Sequence, residues 1–383
     1  MEVPFFVPDV SEEEIASVVE TLRSGWLTTG PKVRQFEDLF ADYVGARHAV
    51  AVNSATAALH LGLEAAGVRR DDEVIVPTMT FTATAEVAVY LGARPVLVDC
   101  LDDTLNIDPD AVAAAVTDRT KAIVPVHYGG QPCRMDELQA IASEHKLAVI
   151  EDAAHALPAS YRGQRIGTLS AVTCFSFYAN KTITTGEGGM ATTEDEALAE
   201  RMRTMRLHGL SKGAWNRFAA QGAWYYEILE AGYKYNLTDI AAAIGIGQLA
   251  RCDDFRRQRY RVVQRYDQGL AGLAEVRTPV SREGDESAWH LYVIRLETDR
   301  LTIDRNAFIE ELTARGIKTS VHYTPLHMHP YYARTYGYKP DDFPVAAAAY
   351  EQIISLPIFP TMSDQQVDYV VDCVRSIAEE HRA

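Results

Sequence analysis

Four short stretches of the 383-residue chain place reactive side chains where a ligand can reach them. Asp152 closes the apolar run Val149-Ile150-Glu151 and is followed by Ala153-Ala154-His155. A carboxylate at the end of a buried strand is costly unless it meets a cation or hydrogen-bond donors. Lys181 comes 29 residues later, in Phe177-Tyr178-Ala179-Asn180-Lys181-Thr182, with the glycine-rich Gly186-Glu187-Gly188-Gly189 close behind it. A lysine held out of water gives up its proton more easily and becomes a nucleophile able to form a Schiff base. Asn53-Ser54-Ala55-Thr56-Ala57-Ala58 follows the apolar run that ends at Val52. Its small residues admit a ligand to the backbone, and the helix start that follows offers unpaired N–H groups to a phosphate. Phe81, central in Pro77-Thr78-Met79-Thr80-Phe81-Thr82-Ala83, presents a flat face on which a heteroaromatic ring can stack.

Each feature alone has an ordinary reading: Ser54 as a helix cap, Asp152 as an acceptor of backbone N–H groups, Lys181 as a surface cation, Phe81 as core. Their order carries the argument. A phosphate cup, a ring-stacker, a strand-end Asp and then a Lys after the next strand are the parts that pyridoxal 5'-phosphate (PLP) needs. The carboxylate keeps the pyridinium nitrogen protonated, so that the ring acts as an electron sink.

Those residues need a scaffold that turns them toward one place. Between about residues 47 and 177, apolar runs at 48–52, 73–76, 95–98, 122–126, 147–150 and 172–177 alternate with helical patterns. Uninterrupted apolar runs between helices mean strands covered on both faces. The expected fold is therefore α/β, a mostly parallel sheet sandwiched by helices. In such sheets ligands gather beyond the carboxyl ends of the strands. Ser11 followed by Glu14 predicts a capping box and a helix through about Leu22. Beyond residue 250 the texture changes to a charge-rich helical stretch (about 251–273), a strand-like run at 290–296 and a helix capped by Asp304. The expected division is a large cofactor-binding domain over residues 1–250, with an N-terminal arm, and a small α+β domain over 251–383.

Composition narrows the partners. The net charge of −16 argues against a nucleic-acid surface, which needs clustered Lys and Arg. Five scattered cysteines with no CxxC pair argue against disulfides and a structural zinc. His327-Met328-His329 has no acidic or cysteine cluster beside it, so no metal is expected. No apolar run approaches the roughly 20 residues needed to cross a bilayer. The opening Met1-Glu2-Val3-Pro4 lacks the basic-then-apolar pattern of a signal peptide, so a cytoplasmic protein is expected. Tyr225-Tyr226 and Tyr331-Tyr332 read as packing or subunit-contact residues.

Longer motifs surround the reactive residues: Gly25-Trp26-Leu27-Thr28-Thr29-Gly30-Pro31, Ser176-Phe177-Tyr178-Ala179-Asn180-Lys181, Gly232-Tyr233-Lys234-Tyr235-Asn236-Leu237-Thr238-Asp239 and Val321-His322-Tyr323-Thr324-Pro325-Leu326-His327. With the Asn53 to Ala58 cup and Glu151-Asp152-Ala153-Ala154-His155, the stretch from about Ser24 to His327 resembles the StrS/DegT-type nucleotide-sugar aminotransferases, PLP enzymes of fold type I. Within them it is most similar to enzymes that aminate C4 of a keto sugar.

The resemblance implies that Lys181 holds PLP covalently and is the catalytic base, and that Asp152 pairs with the ring nitrogen. It implies that Ser176 and the N–H groups of Ala55 and Thr56 bind the phosphate, that Phe81 stacks on the ring and that His155 sits near the phenolic oxygen. Asn236 is expected to reach the phosphate of the neighbouring subunit's cofactor, which makes the active unit a homodimer with shared sites. Thr28, Thr29, His208, Tyr233, Tyr235, His322 and Tyr323 occupy positions that in the family approach the sugar or its nucleotide.

The implied reaction takes an amino group from glutamate, leaving pyridoxamine phosphate (PMP). It delivers that group to C4 of a nucleotide-linked 4-keto-6-deoxy sugar such as dTDP-4-keto-6-deoxyglucose. Amination at C3 of a 3-keto sugar and a non-catalytic, regulatory PLP-binding protein are the alternatives. A subgroup that removes a C3 hydroxyl carries His in place of the lysine, and Lys181 favours amino transfer. A nicotinamide-dependent dehydrogenase wants G-x-G-x-x-G after its first strand, which Asn53 to Ala58 is not. Antibiotic glycosylation and surface-glycan synthesis both use such amino sugars.

Overall fold

The computed structural model describes residues 1–211 and 226–383, so Tyr225 lies outside the described residues. Two helices lead, α1 (Glu12–Ser24) and α2 (Pro31–Val44). Strands and helices then alternate: β1 (His48–Val52), α3 (Ala55–Ala65), β2 (Glu73–Pro77), α4 (Ala83–Tyr90), β3 (Arg94–Val98), α5 (Pro109–Ala115), β4 (Thr120–Ile123), α6 (Met135–His145) and β5 (Ala148–Asp152). A two-stranded ribbon, β6 (Ser160–Tyr161) and β7 (Gln164–Arg165), precedes β8 (Val172–Ser176), β9 (Gly189–Thr193) and α7 (Glu196–Met205). Next come α8 (Asp239–Ala250), α9 (Cys252–Leu270), β10 (Val276–Arg277), β11 (Tyr292–Leu296) and α10 (Arg305–Ala314). The chain closes with α11 (Pro330–Tyr336), α12 (Pro344–Tyr350), β12 (Ile353–Leu356) and α13 (Asp364–Glu380).

Seven strands form one sheet in the order β1-β9-β8-β5-β4-β2-β3. Neighbours from β3 across to β8 pair in parallel, while β9 runs antiparallel to both β8 and β1. The expected α/β sandwich is the fold. Alternation along single strands shows why the runs are uniformly apolar. Val50 and Val52 enter one core cluster and Ala49 and Ala51 another; Val74 and Val76 likewise part from Ile75. The second cluster is built around Phe36, Phe40, Phe175 and Phe177, none of them exposed, each contributing about 2–3 kcal/mol by leaving water.

The β9 strand is absent from the apolar runs that predict the sheet, the last of which ends at residue 177. All five of its residues are buried. Two glycine or small positions and two threonines disguise it, and the threonine hydroxyls are satisfied inside the sheet, on the carbonyls of Gly167 and Ala171.

The chain after α8 adds an antiparallel sheet in the order β10-β11-β12, covered by α9, α10 and α13 around a third core cluster. Val3 belongs to that cluster: its N–H donates to the Gly316 carbonyl (2.9 Å) and it bridges Ile317. Leu291, Leu326, Phe343 and Ile353 instead pack into the first cluster, against the large sheet. The C-terminal third is thereby seated beside the strands rather than hung from a linker.

Candidate active site

The carboxyl ends of β2, β5 and β8, together with the start of α3, enclose a cavity of about 510 Å³. Ala55, Thr56, Phe81, Asp152, His155 and Ser176 line it, and so do Lys181, His322 and Tyr323. Nine residues singled out in the sequence thus meet in one place. At the α3 start Ser54 does cap the helix, accepting from Ala57 N–H (3.1 Å). The first helical turn still leaves the N–H groups of Ala55 and Thr56 without intrahelical partners, and that is what an anion needs. Gly189 lets β9 press against this turn. A Cβ there would meet the carbonyl carbon and oxygen of Ser54 at 2.6 Å and Ala55 N at 2.7 Å. Ser176 is half-buried, and its hydroxyl accepts from the Tyr178 N–H (3.3 Å).

Successive residues of β5 point to opposite faces, and its two carboxylates therefore do different work. Glu151 is wholly buried, accepting from Thr173 Oγ1 (2.8 Å) and from His127 Nε2 (2.8 Å), whose Nδ1 is occupied by the Cys133 N–H (3.0 Å). Asp152 faces the cavity. Its Oδ2 accepts from Thr84 Oγ1 (2.7 Å), which is in turn bonded to Thr80, and its Oδ1 accepts from Ala154 N–H (3.1 Å). Burial raises the Asp152 pKa, and these two donors and the Lys181 charge pull it back only in part. A carboxylate so placed lacks a full countercharge.

Lys181 sits on a loop tied at both ends to the sheet. Phe177 N–H donates to Gly188 O, and Thr185 N–H returns to Phe177 O. Gln248 on α8 accepts from the Thr184 N–H (3.2 Å) and donates to Glu14 on α1 (2.8 Å), so two helices fix the loop. Burial lowers the Lys181 pKa to about 8, with the Asp152 charge working the other way. Opposite lie His155, Tyr323, His322 and His290. Gly129 N–H donates to His155 Nδ1 (3.3 Å), which leaves the proton on Nε2 to donate to the Tyr323 oxygen (3.0 Å). Burial, then the Lys181 charge, holds the His155 pKa well below its usual value, and the same two causes bring His322 down to about 4.

The remaining sequence candidates lie outside this cavity and form a group of their own. Asn236 donates to Thr29 Oγ1 (2.6 Å), whose hydroxyl donates to the Leu237 carbonyl (2.5 Å). Tyr233 and Tyr235 stack at 5.0 Å, and His208, exposed, is tied to Tyr233 through its backbone N–H. Thr28 is exposed, its carbonyl taking the Asp239 N–H. The Asp239 carboxylate gathers the N–H groups of Gly30, Lys32 and Val33, capping α2 and locking the Thr28–Thr29 turn to the 233–239 segment. His327, the candidate metal residue set aside in the sequence, bonds Thr78 Oγ1 through Nδ1 (2.8 Å).

Thr84 and His290 escaped sequence reading. The signal for Thr84 was its place one helical turn after Thr80, and for His290 its position at the head of a strand. Neither spacing names a partner.

The donor set fits PLP. An under-compensated carboxylate suits a pyridinium N–H, open helix-start amides with the Ser176 hydroxyl suit a phosphate, and a lysine near neutrality suits an aldehyde. Phe81, 58% exposed at the cavity mouth, is an aromatic face that a ring would cover.

The chain matches the DegT/DnrJ/EryC1/StrS aminotransferase family over residues 8–375. It is 50% identical to an uncharacterised protein of Methanocaldococcus jannaschii, covering 99% of this chain and 98% of that one. It is 49% identical to the spore coat polysaccharide biosynthesis protein SpsC of Bacillus subtilis, covering 98% and 97%. Among solved structures it superposes on a Streptococcus pneumoniae protein described as a sugar aminotransferase, determined in PMP, PLP and apo forms. The PMP form gives a TM-score of 0.93 at 37% identity, with 99% of this chain and 98% of that one covered.

Proposed function

The chain belongs to the DegT/DnrJ/EryC1/StrS aminotransferase family, and from that premise we propose that it carries an amino group from glutamate to C4 of a nucleotide-linked 4-keto-6-deoxy sugar, with dTDP-4-keto-6-deoxyglucose as acceptor. One observation carries the reading: a lysine brought down to about 8 shares a cavity with a buried carboxylate and an open helix start. The relative named for spore coat polysaccharide biosynthesis supports an amino-sugar product destined for a surface glycan. The enzyme works as a cytoplasmic homodimer. No helix among the described residues is long and apolar enough to cross a membrane. Asn236, with Thr28, Thr29, His208, Tyr233 and Tyr235, serves the neighbouring subunit's cavity, which accounts for this group lying apart from Lys181 in its own chain.

PLP, when bound, supplies a cationic ring that stabilises negative charge on the carbon losing a proton. The chain does the rest. Lys181 Nζ would hold the cofactor, and its amine would serve as the base that takes a proton from the donor's α-carbon and as the acid that delivers one to the sugar carbon. Asp152, held by Thr84 and the Ala154 N–H, keeps a proton on the ring nitrogen. Ser176 with the Ala55 and Thr56 N–H groups would hold the phosphate, and Phe81 would cover one face of the ring. His155, whose Nε2–H donates to the Tyr323 oxygen, would sit beside the cofactor's phenolic oxygen.

The test is a pair of half-reactions. Purified enzyme is converted to its PMP form with glutamate, freed of donor, and offered 4-keto and 3-keto sugars on dTDP, UDP and GDP in turn. Return of the lysine-linked cofactor's visible absorbance with a dTDP-linked 4-keto-6-deoxy sugar supports the reading. Return only with a 3-keto sugar moves the position to C3, and no lysine-linked cofactor at the outset removes catalysis altogether.

A further inference from the structure

Trp289 holds a left-handed backbone, φ +50°, which costs a bulky residue about 1–2 kcal/mol. The buried Arg259 maintains it by donating from Nη1 to the carbonyls of Trp289 (3.4 Å), His290 (3.3 Å) and Ile358 (2.9 Å). Strain preserved in the backbone immediately before a cavity-lining residue points to the residue it places. That residue is His290, 4% exposed, lining the cavity with its ring 4.5 Å from that of His155. Its Nδ1 is buried and has no hydrogen-bond partner. An orphaned buried N–H is rarer than an orphaned acceptor, so the proton belongs on Nε2, the nitrogen left for the cavity. Burial, with the Lys181 charge second, keeps the imidazole neutral. Among the described residues lining the cavity, Lys181 is the one Lys or Arg.

We propose that His290 is a substrate-binding residue whose Nε2–H donates first to the carboxylate of the amino donor and then to an oxygen of the keto sugar. The inference rests on the two-substrate reading above. One cavity must accept an anionic amino acid and then the uncharged ring of a sugar. An arginine matched to the first would be buried with its charge unpaired in the second, a costly state. A neutral N–H donor serves both and leaves no charge uncompensated in either.

The experiment uses PLP-loaded wild type, His290→Phe and His290→Gln, with each half-reaction followed by cofactor absorbance. Phenylalanine keeps a flat ring against His155 and removes both nitrogens; glutamine restores an N–H donor. His290→Phe is expected to raise the half-saturating concentrations of glutamate and of the keto sugar on the order of 10-fold each. His290→Gln recovers most of that loss, and both variants keep the wild-type cofactor absorbance and its pH titration. A His290→Phe enzyme within twofold of wild type for either substrate overturns the dual role. So does a defect that His290→Gln leaves unrelieved, or one that comes with loss of cofactor, because packing alone would produce it. Should wild type accept amino groups from glutamate yet pass them to no keto sugar, the proposed acceptor is wrong, and the glutamate comparison alone decides what His290 does.

Discussion

Lys181 and Asp152 modify one another. Burial lowers the lysine to about 8 while the carboxylate's charge resists the drop. An amine must be neutral to attack an aldehyde, so capture of PLP by the apoprotein should accelerate as pH rises through about 8 and level off above it. Asp152→Asn removes the opposing charge and should move that limb to lower pH. The rate of forming a borohydride-reducible adduct, measured across pH, checks both; a limb that stays put in the variant would contradict the coupling. Lys181→Ala and Lys181→Arg should each lack turnover, read by product formation under saturating substrates. Thr84→Val deprives Asp152 of one of its two donors, and PLP affinity measured by equilibrium dialysis should fall about 10- to 100-fold, with Thr84→Ser restoring it. Asp152 and Lys181 were legible in the sequence because strand ends and glycine-rich loops announce themselves locally. Thr84 meets Asp152 across 68 residues of chain, and the backbone at His290, ahead of β11, is held by Arg259 on α9, so their roles exist only after folding.

At the scale of elements, the phosphate cup depends on how closely β9 approaches the first turn of α3. The atoms that a Cβ at Gly189 would strike are backbone, which cannot rotate aside. Gly189→Ala should therefore displace the α3 start, lowering apoprotein stability by about 1–3 kcal/mol and weakening inorganic phosphate and PLP together. Thermal unfolding and phosphate titration measure the two effects, and a fall in stability alone would mean that the cup itself had not moved. The apolar strands β1, β2, β3, β5 and β8 were readable because burial on both faces leaves an uninterrupted hydrophobic run. That signature is missing from Gly189-Met190-Ala191-Thr192-Thr193, whose hydroxyls are satisfied by carbonyls distant in the chain, so β9 and the antiparallel edge it creates were hidden. The Asp239 clamp on the Thr28–Thr29 turn was equally out of reach, since a carboxylate capping a helix some 200 residues upstream leaves no local pattern.

Across the whole molecule, the proposed sharing of sites between two subunits predicts complementation. Lys181→Ala and Asn236→Ala subunits, each defective alone, should regain activity when unfolded together and refolded. Random pairing gives half the dimers as hybrids with one intact site each, so recovery approaches about a quarter of the wild-type rate. Absence of any recovery would mean that each subunit completes its own site. The three cores each carry cysteines: Cys100 and Cys174 in the first, Cys133 and Cys252 in the second, Cys373 in the third, all unpaired and all buried. A thiol reagent can reach such a sulfur only when the surrounding packing opens. The five residues therefore amount to a set of clocks built into the chain, and the order in which peptide mapping finds them labelled would give the order in which the three cores come apart.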